Sequence, residues 1–231
     1  MNPGPSVHVE GVVVEHRTTH GSVRALDGIS FEVDAGSSTA IVGPSGCGKS
    51  TLLGVLAGLA LPTIGAVTIG SSQISSMADH DRTEFRRRHV ELVYQSDNLL
   101  PFLTVTENIA LQLALCDDVS STRPGQLLTA LGLGPLADRL PDELSGGQRR
   151  RVAVARALVT RPALVLADEP TGALDAANTE HVVDLLLSSQ REIGATLVIV
   201  THDPVIARLT DRVVVLRTGR IVDVEVGRRA R

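Results

Sequence analysis

Thr39-Ala40-Ile41-Val42-Gly43-Pro44-Ser45-Gly46-Cys47-Gly48-Lys49-Ser50-Thr51 decides the fold. An apolar run breaks into a glycine-rich turn, and a helical pattern follows over 49–59. That strand–loop–helix context gives the spacing G-x-x-x-x-G-K-S its meaning as a phosphate-binding loop. The glycines let successive backbone N–H groups turn inward around phosphate oxygens, and the helix N-terminus adds partial positive charge. Lys49 then reaches the β- and γ-phosphates of a nucleoside triphosphate, and the Ser50 hydroxyl ligates Mg²⁺. Of the 22 basic residues only Lys49 is a lysine. A planar guanidinium does not replace a compact ammonium at this position, so this one lysine has a reason to stand in an arginine-rich chain.

Working outward, short β-branched runs predict strands over 7–14, 29–33, 39–43, 66–69, 90–94, 163–167, 196–200 and 212–216. Helices are predicted over 49–59, 146–159, 178–191 and 204–209. The runs 163–167 and 197–200 are apolar throughout, as parallel strands buried on both faces should be. Strands alternating with helices imply an α/β fold with a parallel sheet and right-handed crossovers. From about 99 to 158 the β-branched runs give way to Leu- and Ala-rich helical spacing, which predicts a helical lobe inserted between sheet strands. One domain of 231 residues is therefore expected, with a core over 1–98 and 159–226 and the lobe over 99–158. The strand over 163–167 leads into Asp168-Glu169. At the C-terminal end of such a strand Asp168 can hold Mg²⁺ and Glu169 can orient or deprotonate an attacking water.

Leu144-Ser145-Gly146-Gly147-Gln148 separates this chain from other P-loop proteins. With it the chain resembles the ABC ATPase family along nearly its whole length. The resemblance implies a RecA-like core with an N-terminal antiparallel β-subdomain and an inserted helical subdomain. It implies that Ser145, Gly146, Gly147 and Gln148 clasp the γ-phosphate of ATP bound to the opposite subunit of a dimer. Gln95 looks like that family's Q-loop glutamine, which touches Mg²⁺ or water and links to a membrane subunit. Ala173-Leu174-Asp175 resembles its D-loop, and His202 its switch histidine, which fixes Glu169 and water. The family's adenine platform is usually a Tyr, and His16 stands at the matching position. The string Leu166-Ala167-Asp168-Glu169-Pro170-Thr171-Gly172-Ala173-Leu174-Asp175 is similar to the subgroup serving lipoprotein release, macrolide export and cell division. A transmembrane permease subunit, a homodimer of ATPase chains and export are what that implies. The alternative is a slow ATP-gated regulator of a cell-wall hydrolase, working through a membrane partner with the same motifs.

Composition narrows the field. A formal net charge of −4 argues against a dedicated nucleic-acid binder. The basic triplets at 86–88 and 149–151 lack interleaved aromatics, which predicts solvated faces or ion-pair partners. Soluble ABC proteins that act on DNA or ribosomes carry coiled-coil insertions or tandem ATPase domains, and neither is present. Cys47 and Cys116 are too few for a disulfide framework or a zinc site. With no signal-peptide pattern and no run of about 20 apolar residues, the expected place is the cytoplasmic side of a membrane, as a peripheral subunit.

Overall fold

Two sheets share one core in the computed structural model, which describes residues 3–19, 21–116, 122–172 and 176–227. In chain order the elements are β1 (Val7–Thr18), β2 (Gly21–Val33), β3 (Ser38–Val42), α1 (Lys49–Leu56), β4 (Ile64–Ile69), β5 (Ser72–Gln73), α2 (Asp79–His89) and β6 (Val90–Val93). Then come α3 (Val105–Leu115), α4 (Arg123–Ala130), α5 (Gly146–Leu158), β7 (Leu164–Asp168), α6 (Ala176–Ile193), β8 (Thr196–Thr201), α7 (Pro204–Ala207), β9 (Arg212–Arg217) and β10 (Arg220–Val226).

The larger sheet runs β10-β9-β3-β8-β7-β6, parallel except for the antiparallel edge strand β10. The smaller sheet, β2-β1-β4-β5, is antiparallel. Strand side chains alternate between faces, and the apolar runs divide accordingly. Leu164, Leu166, Val198 and Val200 pack with Leu52 and Leu56 of α1 and with Val9, Leu26 and Ile29 of the smaller sheet. Val165, Ala167, Leu197 and Ile199 pack with Val154 and Leu158 of α5 and with Val183 and Leu186 of α6. This two-sided burial is why no polar residue interrupts those strands. A third cluster, including Ile109, Leu113, Leu128, Leu133, Val152 and Val159, joins α3, α4 and α5.

Differences from expectation sit where tertiary pairing decides. β2 begins at Gly21 rather than 29, because its exposed first half is held by the hairpin register His16↔Val23 and Glu15↔Arg24. β5 and β10 were not expected: both are edge strands, β5 only two residues long and β10 with its alternating valines exposed. The helix predicted over 204–209 stops at Ala207, where Leu209 and Thr210 turn back onto Ile206 and Ala207 carbonyls ahead of β9. In the stretch after β6, Asn108 is buried and donates to the carbonyls of Leu100, Leu103 and Thr104. That turn leaves the Phe102 side chain 72% exposed. Among the described residues no helix is long and apolar enough to cross a membrane.

Candidate active site

β3 is the central strand of the larger sheet, between β8 and β9, and the phosphate loop leaves its C-terminal end. Gly48 has φ +106°, and a Cβ there would stand 2.5 Å from the Ala25 carbonyl oxygen. A Cβ on Gly43 would lie 2.2 Å from the Leu216 carbonyl oxygen. The loop is thus gripped between β2 and β9, and the Cys47 carbonyl accepts from the Gly219 N–H at 2.9 Å. α1 has no side-chain cap and no acid in its first turn, so its leading N–H groups are left to an outside anion. Lys49 is 8% exposed. Its Nζ donates to the carbonyls of Gly43 at 2.8 Å and Pro44 at 3.1 Å. An open cavity over the loop is lined by Ala25, Gly46, Gly48, Lys49, Ser50 and Thr51.

The carboxylates close β7 beside this loop. Burial raises the Asp168 pKa, a hydrogen bond with Ser50 lowers it, the neighbouring Glu169 charge raises it and Lys49 lowers it. Glu169 adopts φ +44°, and its N–H donates to the Val200 carbonyl at 2.9 Å. A non-glycine residue at positive φ is uncommon and here aims the carboxylate out of the strand line. Its Oε2 lies 2.9 Å from Nδ1 of His202, which follows β8. The Glu169 carbonyl accepts from Gly172 N–H, and a Cβ on Gly172 would stand 3.3 Å from Gln95 Cγ and Nε2. Ser50, Asp168, Glu169, His202 and Gln95 therefore converge, though four separate segments supply them. Among the described residues no group of three or more His, Cys, Asp or Glu is placed to hold a metal by itself. Ser50 with one carboxylate instead fits Mg²⁺, which takes few protein oxygens and shares phosphate oxygens and water.

The other sequence candidates fall elsewhere. His16 is exposed in the hairpin whose strand β2 lines the loop with Ala25. Asp175 and the rest of 173–175 lie outside the described residues. Ser145 caps α5: its Oγ accepts from the Gln148 N–H at 3.2 Å, and Gln148 Oε1 accepts from the Ser145 N–H at 2.8 Å. This reciprocal pair is a capping box. Among the described residues no hydrogen bond or ion pair joins the 145–148 turn to the phosphate loop. Of the basic triplets, Arg87 and Arg88 pair with Glu84 as expected. Arg149 and Arg150 pair with Asp97, also as expected, but Arg150 does not lie on a solvated face, being 3% exposed. The sequence reading missed this burial, although its place three after Gly147 and four before Val154, both buried, puts it on the inward stripe of α5.

A glycine cradle with one lysine, a Mg²⁺-competent Ser–Asp pair and a Glu–His couple define a P-loop ATPase. The family model described as ABC transporter matches residues 26–172, more than half of the chain, and the chain belongs to that family. It is an ATPase that uses Mg²⁺ and ATP. It is 39% identical over 219 residues to the lipoprotein-releasing system ATP-binding protein LolD of Bacteroides fragilis, covering 94% of this chain and 100% of that one. The macrolide export ATP-binding/permease protein MacB of Rhodopirellula baltica is 38% identical over 222 residues, 94% of this chain and 32% of that protein. The ATP-binding cassette MJ0796, solved as a dimer in a post-hydrolysis state with ADP and Pi, superposes with TM-score 0.88. That match has 35% identity and covers 96% of this chain and 99% of the other.

Proposed function

We propose that two copies of this chain pair head to tail around two ATP molecules and drive a membrane partner of the lipoprotein-releasing and macrolide-export class. The observation that carries this reading is the split site. Loop, carboxylates and histidine converge in one chain, while the 145–148 turn is not joined to them; its capping box uses the Ser145 and Gln148 N–H groups and leaves those of Gly146 and Gly147 for a phosphate on the other copy. A helix N-terminus opposite a P-loop brings further N–H donors to a γ-phosphate.

Within each site the Lys49 ammonium exchanges its two carbonyl partners for phosphate oxygens. Ser50, Asp168 and Gln95 are the groups for Mg²⁺, which when bound neutralises charge between the phosphates. With its proton on Nδ1, His202 donates to Glu169 and holds that carboxylate towards the water. Glu169 accepts the water proton as the oxygen attacks the γ-phosphorus and the bond to ADP breaks. His16 lies against the adenine. Asp175 serves at the face between the copies. The helical lobe over 99–158 moves against the core over 1–98 and 159–226. The partner docks on the cytoplasmic side, at a cleft of about 390 Å³ lined by Arg86, Glu91, Tyr94, Gln112, Leu115 and Arg156. Exposed Phe102 lies in the segment that follows Gln95, and it takes part in that docking.

The test is size-exclusion chromatography of Glu169→Gln with and without ATP, beside Glu169→Gln/Ser145→Arg. An ATP-dependent dimer that the added arginine disperses is expected, together with a turnover loss of about 10²–10⁴ from Glu169→Gln. Unchanged turnover would sink the assignment of Glu169. A monomer at saturating ATP, or a dimer indifferent to Ser145→Arg, would sink the head-to-tail pair.

A further inference from the structure

β6 ends at Val93, where its pairing with Ala167 stops. The carbonyls of the next residues have no ladder partner and find donors elsewhere. Arginines of α5 supply them. Arg150 Nη1 donates to the Tyr94 carbonyl at 2.5 Å, and Nη2 donates to the Gln95 carbonyl. Its Nε lies 3.5 Å from the Asp97 carboxylate. Arg149 reaches the same carboxylate at 3.5 Å. Nearly two turns further on, Arg156 donates to the Asn98 carbonyl at 2.6 Å and the Asp97 carbonyl at 3.3 Å.

Arg150 is the member that touches Gln95, and its planar fork gives each of two successive carbonyls a nitrogen of its own. It stands two residues after Gln148, on the helix that the Ser145 cap begins. The Gln95 side chain meanwhile lies against Gly172, in the turn that follows Glu169. We propose that Arg150 is a positioning residue: it ties the backbone of Gln95 to the helix behind the 145–148 turn, so that a shift of this helix moves Gln95 relative to Glu169. Engagement of the 145–148 turn by a partner's nucleotide is thereby transmitted to the site that turns over ATP in the same chain. This inference rests on the reading of Gln95 as part of the catalytic site.

The experiment compares Arg150→Met, Arg150→Lys, Gln95→Ala and Arg150→Met/Gln95→Ala in the full chain. Turnover, KM for ATP, thermal unfolding and hydrogen exchange over 94–98 are measured. Arg150→Met should lower kcat by about 10–100-fold, the scale of a small misplacement of a catalytic group. KM should stay within about threefold, because phosphate binding is untouched. Exchange over 94–98 should quicken while the β3, β7 and β8 amides keep their protection. Arg150→Lys should recover part of the rate. In the Gln95→Ala background Arg150→Met should cost less than about twofold more, as expected for two residues acting as one unit. Independent, multiplicative losses would overturn the tie, as would uniform loss of protection across the sheet or wild-type kcat in Arg150→Met beside an impaired Gln95→Ala. Wild-type kcat in Gln95→Ala would remove Gln95 from the reaction, and the positioning role with it. If Arg150→Met does not fold, Arg150→Lys carries the same comparison, since it keeps the charge and loses the two-nitrogen fork.

Discussion

Glu91→Gln should stabilise the isolated chain at pH 8 and flatten its stability against pH. Glu91 lies on β6 opposite Val165, half-buried at the cleft below α2 and α3. Burial pushes its pKa from 4.5 up to about 7, against the opposing pull of hydrogen bonds from Gln112 and Thr160 and the charge of Arg156. Between those two values the folded chain keeps a proton that the unfolded chain has released. Stability is therefore highest below pH 4.5 on this group's account and falls as pH rises towards 7, above which the loss is complete. The interval from 4.5 to about 7, at about 1.4 kcal/mol per decade, sets a ceiling near 3.4 kcal/mol. Water reaching the cleft lowers this, and about 1–3 kcal/mol is the working figure. The glutamine amide oxygen can still accept from Gln112 Nε2, which lies 2.5 Å from Glu91 Oε1, so the variant loses the charge and keeps the contact. Urea unfolding from pH 5 to 8 is the assay, with a rise in Tm of about 3–10 °C at pH 8 as a second reading. Asp168, also raised by burial, slopes the same way, so the difference between variant and parent is the quantity that matters. Parallel pH profiles, or a variant less stable than the parent at pH 8, would refute the argument.

Lys49→Ala should weaken ATP binding by about 100-fold or more, because charge-assisted hydrogen bonds contribute about 1.5–3 kcal/mol each. Titration with a fluorescent ATP analogue checks this, and wild-type affinity would contradict the loop assignment. His16→Tyr should tighten ATP by about fivefold, roughly 1 kcal/mol of better stacking. Unchanged affinity relative to triphosphates without a purine would leave His16 as a strand residue only. Phe102→Ala should shift stability by less than about 0.5 kcal/mol, since the ring is largely exposed, yet weaken coupling to the membrane partner. Stimulation of ATP turnover by partner-containing membranes is the measurement, and full stimulation would remove Phe102 from the contact.

Motifs confined to one turn were legible without coordinates. The phosphate loop, Asp168-Glu169 and the Ser145 cap each place backbone N–H groups or a carboxylate by local geometry, and sequence spacing encodes that directly. The parallel strands were legible too, because burial on both faces leaves an unbroken apolar run. What stayed hidden depended on partners distant in sequence. The first half of β2 reads as Gly-Ser-Val-Arg-Ala-Leu-Asp-Gly, a poor strand, and only pairing with β1 makes it one. α2 carries Asp, Arg and His with no buried residue, so no apolar stripe announces it. For Arg150 the spacing allows a solvated face or an ion-pair partner, and the pair with Asp97 forms, but nothing local announces that its fork holds the carbonyls of Tyr94 and Gln95.

The resting ammonium of Lys49 bears on how the site empties. A buried cation without a partner is costly, and here the Gly43 and Pro44 carbonyls already satisfy it. Nucleotide capture is then a swap of one pair of oxygens for another, so only the difference between the two sets appears as affinity. The reverse step benefits equally: when ADP departs, the lysine has a seat to return to and no stranded charge holds the product back. A loop that provides its own stand-in for phosphate favours repeated cycling over permanent occupancy, which suits a motor that must let go after every stroke.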